Sequence, residues 1–250
     1  MPQYRYSASP YRFGPGPISP GIKMLIKLNI LAFVATIVWP RLLLSFGLTP
    51  QAVFEQFHFW QPVTYLFLHG GLFHIVFNML ALWMFGVELE RLWGSKAFIK
   101  YYFVTGIGAA VTVLFVSLLP IASADQMYYS VTIGASGAVY GVLLAFGLYY
   151  PDRPIYMYFL FPVPAKYFVM IIGGILFFSS INDTNSGVSH EAHLGGLLAG
   201  YLYLRGGGGG TTNLIGEIKY QYIKWKMNRL RRRFHVHPGK RNDDWTGPVH

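Results

Sequence analysis

Long apolar stretches alternate with short polar breaks along this chain. Six such stretches run at about 22–42, 70–89, 97–119, 135–150, 165–181 and 191–204. A helix needs ~20 apolar residues, within a range of ~17–25, to cross ~30 Å of hydrocarbon. The spacing predicts an all-α, polytopic membrane bundle of six transmembrane helices, with the fourth and sixth short. Between the first two, Leu43 to Leu68 mixes Trp60 and several phenylalanines with polar residues. That segment is too polar to span and too apolar for a free loop, so it should lie in the interface or pack on the bundle.

The flanks are different in kind. Residues 1–21, rich in Pro, Gly, Ser and Tyr, read as an N-terminal segment without the apolar core of a cleavable signal. The bundle fills 22–205. Gly206 to Gly210 opens a flexible linker, 206–212. The basic tail, 213–250, places Ile215, Ile218, Tyr222 and Trp225 at helical spacing, with Lys219, Lys226 and Arg229 elsewhere on the wheel. It fits an interfacial helix on an anionic leaflet, and equally an exposed topogenic tail. From His235 onward the sequence reads as disordered.

Composition supports the membrane reading. Only 12% of the 250 residues are charged, against about 25% in soluble domains. The net charge of +10 would suggest nucleic acid in a soluble protein. Here the cations sort by loop. With a cytoplasmic N-terminus, Arg5, Arg12, Lys23, Lys27, Arg91, Lys96, Lys100, Arg153, Lys166, Arg205 and the tail lie inside, and only Arg41 lies outside. The expected location is a cell membrane, a bacterial inner membrane, with both termini cytoplasmic. Anionic lipid is an expected partner of the tail, and nucleic acid is not. The absence of cysteine excludes disulfides and thiolate metal sites.

Within the apolar stretches, one octapeptide stands out, Gly134-Ala135-Ser136-Gly137-Ala138-Val139-Tyr140-Gly141. A hydroxyl among glycines there is a packing device or a nucleophile. His193 occupies a matching setting in Ala192-His193-Leu194-Gly195-Gly196. At ~1.5 Å per residue, Ser136 lies about 22 Å above Pro151 and His193 about 18 Å above Arg205. Both then sit roughly 8–12 Å below the outer surface of a ~30 Å core. An intramembrane histidine is costly and usually functional.

A fourth helix starting near Ser136 would set free N–H groups and a positive dipole end beside the hydroxyl. Such groups can stabilise an oxyanion. Gly134 and Gly137 allow close approach of a substrate strand or a neighbouring helix. Tyr140, one turn below Ser136, can pack on the imidazole. Glu191 and Asp183 are candidates for orienting the imidazole, but Glu191 points to another face, which favours a two-residue Ser136–His193 dyad. Gly196 and Gly200 fit a packing seam.

The second stretch adds His69, His74 and Asn78 near its outer end; His74 and Asn78 share a face. An Asn amide suits an oxyanion hole as well as an interhelical hydrogen bond. A metal site from His69, His74 and His193 lacks a carboxylate, and Asn is a poor zinc ligand. No metal and no cofactor are expected.

Together these motifs resemble the rhomboid family of intramembrane serine proteases, over stretches two to six. The resemblance implies that Ser136 attacks the scissile carbonyl of a transmembrane protein substrate and that His193 takes its proton. It assigns the oxyanion to His74, Asn78 and the Ser136 N–H, a structural role to His69, and packing of the sixth helix on the fourth to Gly196. Trp60-Gln61 stands where the family often carries Trp-Arg. Phe177 or Phe178, facing Phe77, are candidate gating aromatics. The rival readings are a catalytically inactive rhomboid-like protein that binds membrane clients, and a six-span transporter. The inactive form would typically lack Ser136 or His193. A transporter would spread ionisable groups along a pathway.

Overall fold

The computed structural model describes residues 15–120, 124–157, 161–182 and 190–207, with backbone alone at 156–157 and 179–182. The basic tail, most of the glycine linker and Asp183 lie outside the described residues.

The first helix, α1 (Pro20–Val38), begins with a proline, whose missing N–H is no loss in a first turn. The apolar pattern continues to residue 42, yet α1 stops at Val38. Pro40 disfavours helical geometry at Trp39 and breaks the run. The mixed segment that follows folds into short pieces: α2 (Leu42–Phe46), α3 (Pro50–Glu55), α4 (Gln61–Thr64) and a 3-10 turn at Tyr65–Phe67. Gln61 staples them. It is fully buried, and its Oε1 accepts the Thr49 N–H at 3.0 Å. Its Nε2 faces the carbonyls of Leu44 and Ser45 at 3.5 and 3.4 Å. The Trp60 indole donates to the Ser45 carbonyl at 2.9 Å.

Five further helices follow at the remaining apolar stretches: α5 (Leu72–Trp93), α6 (Ser95–Val116), α8 (Ser136–Tyr149), α9 (Ala165–Asn182) and α10 (His190–Arg205), with the short α7 (Ala124–Tyr129) between α6 and α8. Of these, α1, α5 and α6 are long and apolar enough to cross a membrane, while α8 and the Ala165–Phe178 part of α9 are shorter apolar helices. One element departs from the all-α expectation. Strands β1 (Pro154–Met157) and β2 (Phe161–Pro164) pair antiparallel between α8 and α9, with Ile155 opposite Val163 and Met157 opposite Phe161. Its three prolines disfavour helix, and its aromatic and β-branched residues suit extended backbone.

The centre of the bundle is the packing of α6, α8 and α10. Lipid is as apolar as leucine, so close backbone approach and hydrogen bonds must supply the cohesion. Small residues allow it. A Cβ on Gly196 of α10 would run into the Gly137 carbonyl of α8, and one on Gly141 would meet the Thr105 side chain at 2.5 Å. Two buried tyrosines bond across: Tyr101 donates to the Gly141 carbonyl and Tyr65 to the Gly106 carbonyl, both at 2.7 Å. The outer helices turn apolar side chains outward instead; Leu31 of α1 is 66% exposed and Met170 of α9 is 70% exposed.

A buried carboxylate closes one end. Glu90, near the end of α5, accepts the N–H groups of Gly21 and Ile22 at 2.7 and 2.9 Å. It also accepts the hydroxyls of Ser19 and Ser95. One side chain thus satisfies orphan donors at the start of α1 and binds the first residue of α6, where a negative charge is favoured by both helix dipoles.

Candidate active site

The site is built where an extended segment turns into α8. Thr132 exchanges both backbone hydrogen bonds with Leu48, at 2.9 and 2.8 Å, and the Gly134 N–H donates to the Tyr65 carbonyl at 2.9 Å. These bonds fasten the approach to Ser136 onto the segment between α1 and α5. Gly134 then takes φ +122°, which disfavours any residue with a Cβ. A Cβ there would lie 2.7 Å from His74 Nε2. The missing side chain lets the imidazole approach the turn.

Ser136 is the first residue of α8. The first backbone bond into the helix is Val139 N–H to the Ala135 carbonyl, at 2.9 Å. The N–H groups of the first turn ahead of it have no intrahelical acceptor, as at any helix start. His193 lies in the first turn of α10, 8% exposed. The Gly196–Gly137 contact brings α10 close enough to α8 for His193 Nε2 to stand 2.7 Å from Ser136 Oγ. The Tyr140 ring lies against the imidazole, with centroids 4.4 Å apart and planes inclined by 36°. No described residue bonds His193 Nδ1. Glu191 lines the same cavity.

On the facing helix, His74 and Asn78 line the cavity with Ser136 and His193. The Gly70 N–H points at His74 Nδ1 over a long 3.4 Å, which favours the tautomer with its proton on Nε2, the nitrogen nearest Gly134. Asn78 donates one amide N–H to the His74 carbonyl at 2.9 Å, leaving the other N–H and its oxygen. His69 is buried outside the cavity lining, its ring edge-on to His74 at 4.9 Å.

The cavity holds about 800 Å³. Its lining includes Gln126 of α7, Ser130 and Thr132, none of which the sequence singled out. From α9 it takes Phe168 and Ile172 rather than Phe177 or Phe178; Phe77 does line it. The pair Phe168/Ile172 was readable only as one of several apolar faces of α9. The structure therefore brings together Ser136, His193, Tyr140, His74, Asn78 and Gly134. Among the described residues no cluster of three or more His, Cys, Asp or Glu could hold a metal ion.

Fold and site describe a helical membrane protein with a largely apolar chamber that holds a cluster of polar side chains. The rhomboid domain profile matches residues 56–207, and the chain belongs to the rhomboid family. Among similar proteins is the rhomboid protease GluP of Bacillus subtilis, 34% identical over 161 residues, covering 64% of this chain and 28% of that protein. The rhomboid protease AarA of Providencia stuartii is 29% identical over 193 residues, covering 71% of this chain and 69% of that one. Mitochondrial rhomboid protein 1 of Saccharomyces cerevisiae is 33% identical over 138 residues, covering 55% and 38%. The chain thus spans less than two thirds of the first and third of these relatives.

Proposed function

We propose that this protein is an intramembrane serine endopeptidase that cleaves transmembrane segments of other membrane proteins. The observation that carries the reading is the 2.7 Å contact between His193 Nε2 and Ser136 Oγ at the head of a helix, inside a cavity. In this mechanism His193 accepts the hydroxyl proton as Ser136 Oγ attacks the scissile carbonyl, forming the tetrahedral adduct. The Ser136 N–H, His74 and the remaining Asn78 N–H surround the resulting oxyanion. The imidazolium then returns its proton to the leaving amine, and water hydrolyses the acyl-enzyme by the same exchange. In this reading the Tyr140 ring and the helix packing orient the base, and Ser136 and His193 act as a dyad.

The same reading takes α1, α5, α6, α8, α9 and α10 as six spans of one domain, 22–205. Both termini lie in the cytoplasm, the linker and basic tail follow, and the tail contacts anionic lipid. No metal or other cofactor takes part. The polar groups cluster in one chamber rather than along a path, which favours this account over a transporter. The test is cleavage of a single-span model substrate by the reconstituted protein. Wild type should cut it, and Ser136→Ala should leave it intact. A wild type that binds the substrate and never cuts it would favour the inactive client-binding alternative.

A further inference from the structure

A second hollow lies away from the chamber, between α1 and the segment that follows it. It holds about 340 Å³. One wall is a single face of α1, formed by Leu28, Ala32 and Ala35 with Thr36 beside them. The other wall comes from α2, Thr64 and the residues that close the 3-10 turn. The two alanines keep the hollow open, since a long side chain at either position would occupy it. Leu28 lies ten residues before Val38, the last residue of α1, so the hollow reaches about 15 Å below that end. Divided over about 15 Å, 340 Å³ leaves a cross-section of about 23 Å². A helix ~10 Å across needs ~80 Å². The groove therefore suits one extended chain and is too narrow for a helix.

Its chemistry is equally restrictive. Seven of its nine lining residues are apolar. The other two, Thr36 and Thr64, donate their hydroxyl protons to the Phe33 and Phe46 carbonyls, at 2.8 and 2.7 Å. A polar occupant thus finds no side-chain donor in the groove. Beside it, α1 exposes Leu31 and Ile37, on a helix long and apolar enough to cross a membrane. The upper end of the groove carries the marks of the interface. Trp39 and Trp60 are exposed there, and the Trp60 indole bonds the Ser45 carbonyl. Tryptophan collects at headgroup level. Arg41 stands between Trp39 and Leu42, which lines the groove, and is exposed. Among the described residues no carboxylate meets its guanidinium. A guanidinium holds a phosphate through two N–H groups at once. A free cation at headgroup level, with an apolar groove running down from it, matches the two ends of one phospholipid.

We propose that the groove between α1 and residues 42–68 binds one phospholipid, with its phosphate on Arg41 and one acyl chain along Leu28–Thr36. Thr64 and Phe67 of the groove wall flank Tyr65, whose carbonyl fastens Gly134. The lipid is therefore a packing partner of the segment that holds the turn before Ser136. The site rests on the membrane-bundle reading above and not on the protease chemistry.

The experiment strips the full-length protein of lipid in detergent and titrates it with palmitoyl-oleoyl phosphatidylglycerol under native mass spectrometry. Wild type should hold one phospholipid well above the statistical background. Ala32→Phe, which fills the groove, should lose that lipid, and Arg41→Gln should bind it several-fold more weakly. Leu31→Phe, on the outward face one residue away, should bind as wild type does. Wild-type affinity in Ala32→Phe, at an unchanged thermal midpoint, would overturn the site. If Ala32→Phe melts early, Arg41→Gln decides, because the exposed Arg41 can be changed without disturbing the packing; wild-type affinity there overturns the site as well. So does loss of a dimer rather than of a lipid in Ala32→Phe, which would give the groove to a second copy of the chain. Flotation with phosphatidylethanolamine/phosphatidylglycerol liposomes separates the two readings. Protein that fails to float removes the membrane bundle and the site with it, whereas protein that floats but holds no such lipid removes the site alone.

Discussion

A serine hydroxyl facing a buried imidazole needs three things from its neighbours: a fixed distance, a fixed ring orientation and donors for developing charge. In the proposed mechanism Gly196 against Gly137 fixes the distance, Tyr140 holds the ring, and the start of α8 with Asn78 offers donors. Each part predicts a phenotype under the protease reading. Asn78→Ala should lower cleavage about 10²-fold, the usual scale for one lost oxyanion donor, with thermal stability in detergent changed far less. Equal cleavage by Asn78→Ala and wild type would remove Asn78 from the mechanism. Tyr140→Phe keeps the ring and should retain most activity, whereas Tyr140→Ala should lose far more; matching rates for the two would rule out a ring-holding role. Gly134→Ala meets both a positive φ and the His74 ring. At this scale the sequence was readable where chemistry marks a residue. A serine among glycines and a histidine in apolar surroundings stand out, and depth counting pairs them. The geometry of Gly134 was not readable, because many turns and packing seams take glycine and only the backbone path distinguishes them. Nor was the Tyr65 carbonyl that fastens Gly134, since every residue carries a carbonyl.

Elements were legible to the extent that apolar length decides them. The six apolar stretches became six helices within a few residues, except where Pro40 cut α1 short. The short elements were not legible. Residues 42–67 contain four brief helical pieces whose order depends on Gln61 reaching distant backbone groups, a tertiary fact with no local signal. The β1–β2 hairpin carries no clear signal in the sequence, because its apolar run is too short for a span and too proline-rich for a helix. Glu90 shows the same limit. In sequence it is one charged residue among Glu88, Glu90 and Arg91; in the fold it is bound by two N–H groups and two hydroxyls. A hydrogen bond to a charged group contributes ~1.5–3 kcal/mol. Glu90→Ala should therefore lower the thermal midpoint in detergent clearly more than Glu88→Ala, whose carboxylate meets Arg91 and Arg153 in partly exposed pairs. Equal midpoints for the two variants would show that Glu90 does not hold α1 to α5. Gly196→Val should be worse for both stability and cleavage, since its side chain would enter the Gly137 backbone.

At the scale of the molecule, charge asymmetry and bundle geometry bear on the same topology. Arg153, Glu88 and Arg91 gather at one end, and Glu55, Tyr128 and the rim residues Gln126 and Ser130 lie toward the other. The account predicts that, in intact cells, an impermeant maleimide labels Tyr129→Cys from outside, while Asp152→Cys reacts only after lysis. The opposite pattern would invert the topology, and labelling of both from one side would break the six-span arrangement. The central claim concerns the pair that the packing brings together. Labelling with a fluorophosphonate probe tests it most directly, because the probe phosphonylates activated serine hydroxyls and Ser136→Ala controls for other nucleophiles. The account predicts labelling of wild-type protein, none of Ser136→Ala, and strongly reduced labelling of His193→Ala at unchanged thermal stability. Wild type and Ser136→Ala labelling to the same extent would contradict it.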